Sequence, residues 1–196
     1  MDNLLKEYQL YFESTLNDFF NNYNSQIQPI TDAVKYGVVD GGKRVRPCLC
    51  YLTAKVFGKP KEYVSQLAIG VEMIHSYSLI HDDLPSMDND TLRRGKPTAH
   101  IEFGEGMAVL AGDGLLNMAF EALLEDATSI DDIRALRAIA NFAGIKGMIG
   151  GQCIDIQNNN KDNFGQSDIL NLYDKKTSCL FNCAIVGSAL KCGAST

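Results

Sequence analysis

Residues 75–100 read HSYSLIHDDLPSMDNDTLRRGKPTAH, and the rest of the chain is understood from them. The stretch opens as the end of an apolar helix, delivers Asp82, Asp83 and Asp88 in a short span, and turns at once into the basic run Arg93, Arg94 and Lys96. A helix C-terminus carries partial negative charge, so Asp82 and Asp83 stand against the dipole and against each other. Pro85 stops ordinary helix propagation and lets the chain re-aim Asp88 toward the same point. Carboxylates crowded in this way need a cation, supplied either by the neighbouring Arg93, Arg94 and Lys96 or by a hard divalent ion. Magnesium fits better than internal pairing, because it takes one or two protein carboxylates and completes its shell with water and phosphate oxygens. The arginines are then available to grip phosphate with their planar fork. A solvated, salt-bridged acidic loop is the plainer alternative. A calcium loop is not: counted from Asp88, Leu92, Arg93 and Ala99 fall where an EF-hand needs an oxygen ligand, Gly and Glu.

Upstream, Val64, Leu67, Ala68, Val71, Ile74 and Leu79 recur at helical spacing and predict a helix from Lys61 to Asp83. Leu4, Leu5, Tyr8, Tyr11, Phe12, Leu16, Phe19 and Phe20 predict an amphipathic helix over 3–24. Pro29 can open a second helix ending at Gly41-Gly42, and a third is expected from Arg44 to Phe57. Downstream, Met107 to Glu125 reads as a helix of small residues, and Ser129 as the N-cap of one running past Phe142 and Met148 toward Ile156. Residues from Asn158 to Gly165 read as a loop, and a last helix runs from Ser167 through Tyr173 to Leu190. No strand alternation and no internal repeat is seen. The expected fold class is all-α, in a single domain spanning 1–196.

The segment from Gly37 to Arg44 nearly spells a phosphate-binding P-loop but places Arg44 where that loop needs Ser or Thr, and no strand precedes it. What remains is a Gly-Gly turn presenting Lys43, Arg44 and Arg46, with Pro47 fixing the backbone.

Together, Asp82-Asp83-x-x-x-x-Asp88 followed by Arg93-Arg94-Gly95, and Gly41-Gly42-Lys43-Arg44-x-Arg46-Pro47, resemble two motifs of the polyprenyl (trans-isoprenyl) diphosphate synthases, most of all the bacterial farnesyl type. The resemblance implies a helical bundle around an apolar cavity and head-to-tail condensation of isopentenyl diphosphate with an allylic diphosphate. By the same matching, Asp82, Asp83, Asp88, Arg93 and Lys176 would be catalytic, with Asp82 and Asp88 holding magnesium, or manganese in its place. Lys43, Arg46, His75 and Arg94 would bind isopentenyl diphosphate, while Arg93, Gln152, Lys176 and Thr177 would bind the allylic one. Gln152 belongs to a Gly151-Gln152-x-x-Asp155 stretch that also resembles the family. Tyr77 and the small Ser78 lie where chain length would be set; an aromatic there goes with the fifteen-carbon farnesyl product, with geranylgeranyl diphosphate as the alternative. A homodimer is also implied. The family's second motif, D-D-x-x-D, does not occur after Asp90, so the chain reads as C-terminally incomplete and is expected to be inactive or weak by itself, and a noncatalytic binding, regulatory or dimerisation module is the rival reading. A class I terpene cyclase shares an Asp-rich motif but has no use for Gly41-Gly42-Lys43-Arg44.

Composition sets the outer bounds. The 196 residues are 45% hydrophobic and 21% charged, those of an ordinary globular chain. A net charge of −6 argues against nucleic-acid binding, so phosphate affinity must come from local clusters. The stretch Met1 to Glu7 lacks the basic and apolar regions of a signal peptide, no apolar run is expected to approach the length of a membrane span, no membrane insertion is expected, and a cytoplasmic protein is expected. The six cysteines form no Cys-x-x-Cys pair and read as reduced, buried core residues.

Overall fold

The computed structural model describes residues 2–23, 26–39, 41–158 and 165–195. The architecture is helical, as the periodicity requires. Helix α1 spans Asp2–Asn22, α2 Gln28–Val38, α3 Val45–Val56, α4 Ser65–Asp82, α5 Ala99–Phe103, α6 Glu105–Glu125, α7 Ile130–Ala143, α8 Met148–Asn158, α9 Gln166–Tyr173 and α10 Cys179–Lys191. A 3₁₀ turn, Lys61–Val64, precedes α4, and a π-helical stretch, Asp174–Ser178, joins α9 to α10.

Several boundaries differ from the sequence expectation, each for a local reason. The helix expected from Ser129 past Met148 is two helices, because α7 ends at Gly144, and Gly147 lies where a Cβ would collide with the Phe142 carbonyl oxygen. Short α5 escaped a reading based on long periodicity. So did a minimal hairpin, in which β1 (Leu92–Arg93) pairs antiparallel with β2 (Lys96–Pro97). Its two-residue turn places Arg94 at φ 54° and Gly95 at φ 79°, the positive pair that matches the twist of a tight hairpin. The expected loop falls, from 159 to 164, outside the described residues.

The chain forms two compact units. The first comprises Met1–Cys48 and Ala68–Glu125. Here α1 buries Tyr8, Phe12, Leu16 and Phe20, one residue per turn, while α2 and α5 pack on α6. Helix α6 corrects one expectation, being long and apolar enough, by length and composition, to cross a membrane. Its apolar content is partly directed inward, through Ala108, Ala111, Leu115, Met118, Ala119, Ala122 and Leu123.

The second unit comprises Leu49–Leu67 and Asp126–Thr196, with α10 packed on α7 and α8 on the π-helical stretch. The Ser129 cap is present: Asp132 N–H donates to the Ser129 hydroxyl at 3.2 Å, and Ser129 N–H donates to the Asp132 carboxylate at 2.8 Å. Lys191 from α10 reaches the same carboxylate at 2.6 Å, in buried surroundings. Burial disfavours the Asp132 charge, yet hydrogen bonds from Lys191, Ser129 and Thr128 outweigh it and hold the carboxyl down to about 2.

Candidate active site

At the end of α4 the chain makes the turn that the aspartates and Pro85 foretold. Asp88 N–H donates to the Asp82 carbonyl oxygen at 2.9 Å, closing the intervening residues into a loop that returns Asp88 beside Asp82. Asp82 is half-buried and Asp88 exposed. Asp83 has a different fate. It is buried, at 3% exposure, and accepts from Arg93 Nε at 2.8 Å and from Arg93 Nη2 at 2.5 Å. Internal pairing, expected to give way to a metal, therefore accounts for Asp83. Arg93 is correspondingly not wholly available for phosphate: Asp83 occupies Nε and Nη2, and its second terminal nitrogen is uncommitted among the described residues. The hydrogen bonds and charge of Asp83 raise the Arg93 pKa, with burial opposing.

The donor set tests the fit of magnesium. Among the described residues, no three or more His, Cys, Asp or Glu side chains form a metal-holding group. Magnesium asks for no such cage, since one or two carboxylates with water and phosphate oxygens suffice. Asp82 and Asp88, drawn together by the backbone bond, are a donor set of that kind.

Beside this loop stands a basic cluster. Burial pushes the His75 imidazole down to about 3, and the charges of Arg46, Arg94, Arg93 and Arg44 push the same way. The ring is thus neutral at neutral pH and keeps an N–H to donate. Burial also lowers the Arg94 pKa; nearby Glu72 opposes the shift, and Arg44 and Arg93 add to it. The Arg94 guanidinium lies over the Gly-Gly turn so closely that a Cβ on Gly42, itself at φ 86°, would sit 2.7 Å from it. Gly41, Gly42, Asp83, Arg93, Arg94 and Lys96 wall a cavity of about 240 Å³, with Leu79 and Ile80 on its apolar side.

The turn presents Lys43, which is exposed, and Arg46, which is half-buried. It does not present Arg44, and here the sequence expectation is corrected: Arg44 is 2% exposed and turned inward onto Glu13 and Glu72. Sequence reasoning also missed Glu72. The available signal was a lone carboxylate inside the apolar run Val71-Glu72-Met73-Ile74, since such a residue is rarely buried unless paired.

Two further α4 residues complete this unit's set. Tyr77 is buried and stands edge-on to His81, with ring centroids 5.8 Å apart. The Ser78 hydroxyl donates back to the His75 carbonyl at 2.8 Å.

In the second unit, Lys176 and Thr177 lie in the π-helical stretch, a local widening that often accompanies function. Lys176 Nζ meets Asp155 Oδ2 at 2.5 Å. Gly151 lets α8 approach so nearly that a Cβ there would collide with the Lys176 backbone. Asp155 follows Gln152 on the same helix, so the two weaker sequence matches, around Gln152 and around Lys176-Thr177, meet through that ion pair.

The fold and these groups define an all-helical protein whose basic side chains and paired aspartates suit polyanionic phosphate. The chain belongs to the polyprenyl synthetase family, whose family model matches residues 27–196. It is 39% identical to a farnesyl diphosphate synthase of Haemophilus influenzae over 183 residues, 92% of this chain and 62% of that protein. A geranylgeranyl diphosphate synthase of Cyanophora paradoxa is 38% identical over 185 residues, 93% of this chain and 61% of that one. The chain thus spans about three-fifths of the length of these curated relatives. Among solved structures, a geranyltransferase from Legionella pneumophila matches with a TM-score of 0.93 and 31% identity, covering 100% of this chain and 69% of that one. An FPP/GFPP synthase from Zymomonas mobilis gives 0.93 and 34%, covering 100% and 73%. Likeness is shared between farnesyl and geranylgeranyl synthases and does not select a product.

Proposed function

We propose that this protein performs head-to-tail prenyl transfer, joining isopentenyl diphosphate to an allylic diphosphate, dimethylallyl or geranyl, with farnesyl diphosphate as the product. The observation that carries the proposal is the gathering of Arg46, Arg93 and Arg94 around a neutral His75, next to the Asp82–Asp88 loop. Guanidinium groups gathered in this way suit a polyanion, and a neutral imidazole adds a hydrogen bond.

In this reading Lys43, Arg46, His75 and Arg94 hold the diphosphate of isopentenyl diphosphate. Arg93, Lys176, Thr177 and Gln152 are assigned to the allylic diphosphate. The allylic C–O bond breaks, its electron pair leaving with the diphosphate. The double bond of isopentenyl diphosphate attacks the resulting allylic carbon, and the proton then lost passes to the departed diphosphate. Asp82 and Asp88 would hold magnesium, which when bound supplies charge neutralisation for the leaving group. The protein's own contribution is to fix two phosphorylated partners in reacting geometry, with donors aimed at developing charge.

Labelled isopentenyl diphosphate with geranyl diphosphate and magnesium tests the reading, by chromatography of the products. Farnesyl diphosphate is expected. Failure to form a prenylated product from either dimethylallyl or geranyl diphosphate overturns it.

A further inference from the structure

Arg44 is the one cation of the Gly-Gly turn that a diphosphate cannot use. Its Nε donates to Glu13 Oε1 at 2.6 Å, its Nη1 to Glu72 Oε1 at 3.0 Å, and its Nη2 to Glu13 Oε2 at 3.2 Å and to the Val38 carbonyl at 2.8 Å. Most of the guanidinium's five N–H donors are thereby committed to groups from α1, α2 and α4. The residue adopts φ 48°, a left-handed conformation uncommon outside glycine, held by these contacts. The same turn is tied to α1 a second time, where Gln9 Nε2 donates to the Lys43 carbonyl at 2.7 Å.

We propose that Arg44 and Glu72 are positioning residues, a buried strut that fixes the Gly41–Gly42 turn so that Lys43, Arg46 and the overlying Arg94 meet one diphosphate. The proposal rests on the diphosphate reading of that cluster and names what holds it in shape. It also makes a prediction of opposite sign to simple electrostatics. Glu72 is an anion beside a cationic site, so neutralising it should tighten an anion if charge alone mattered. If the strut matters, neutralising it weakens the anion.

The probe is inorganic pyrophosphate, titrated calorimetrically into the whole chain. Glu72→Gln is expected to weaken binding roughly ten-fold or more, as misplacement of a positioning network does. Arg44→Lys keeps the charge but cannot bridge both carboxylates, and weakens binding likewise; Arg46→Ala marks the loss of a direct contact. Tighter or unchanged binding in folded Glu72→Gln overturns the proposal. Should that variant fail to fold, Glu13→Gln, at the more exposed end of the strut, is read by the same sign. Amide hydrogen exchange without ligand is the second readout: Glu72→Gln should speed exchange across Gly42 to Arg46. Wild-type protein that ignores pyrophosphate defeats the diphosphate reading, and the strut is then decided by exchange, where unchanged rates overturn it.

Discussion

At His75, a residue that reads from sequence as either a packing imidazole or a phosphate donor, the ring is half-buried in α4 and feels the charges of four arginines. The consequence for stability has a definite sign. The unfolded chain takes a proton at His75 near pH 6.5, while the folded one does so only near 3, so stability falls as pH drops through that interval. Asp132 acts at the acid end of that interval and beyond it: its contribution is present above 3.8 and is lost as pH falls toward about 2. Denaturant unfolding of wild type and His75→Gln from pH 7 to 4 should show a steeper loss in wild type. Parallel curves would refute the assignment. The basic residues were legible because their spacing is local. Arg44 and Glu72 were not, because which cation turns inward is decided by partners 31 and 28 residues away.

The elements teach a similar lesson about range. Long helices such as α1 and α4 could be read within a few residues of their ends, since α1 has one apolar face and α4 is apolar and largely buried all round. Short α5, the hairpin and the π-helical stretch carry no period long enough to see. Their signals are single residues: Gly95 in the hairpin turn, and Gly151, whose missing side chain admits the Lys176 backbone. Gly151→Ala should overpack this contact and lower stability by about 1–3 kcal/mol, measured by denaturant unfolding. A neutral result would show that the π-helical stretch yields without cost. On α4, Tyr77 lies five residues before Asp82, roughly 7–8 Å along the axis. In an active preparation, Tyr77→Ala should lengthen the product with little change in isopentenyl diphosphate affinity. An identical product profile would make the buried Tyr77–His81 pair packing alone.

Across the whole molecule, burial sorts the thiols. Cys48, Cys50, Cys179 and Cys183 are buried, Cys192 is half-buried and Cys153 is exposed, which corrects the expectation that all six lie in the core. Burial, and next the Glu72 charge, push the Cys48 thiol up to about 11, so it is a poor nucleophile as well as an inaccessible one. Thiol titration under native conditions should therefore label Cys153 first and Cys192 more slowly, with the other four appearing only on denaturation. Rapid labelling of Cys48 would contradict the packing of the first unit. The buried faces of α1 and α4 followed from apolar spacing, whereas the polar networks did not, because they join residues distant along the chain. Lys191 with Asp132, 59 residues apart, is the plainest instance.

The strut also carries information about time. Glu13 precedes Arg44 by 31 residues and Glu72 follows it by 28, so a chain leaving the ribosome can form the first half of the clamp but must wait for the second. Until α4 arrives, the guanidinium has a partner and no burial. Contacts that close loops of this length tend to form late, after the folding barrier. Such a contact contributes to how long the native state lasts more than to how quickly it is reached. In stopped-flow kinetics, Glu72→Gln should thus speed unfolding and leave refolding nearly unchanged; a slowed refolding limb would instead place the clamp in the folding nucleus. The turn that would greet the substrate is locked by one of the last events of the chain's own assembly.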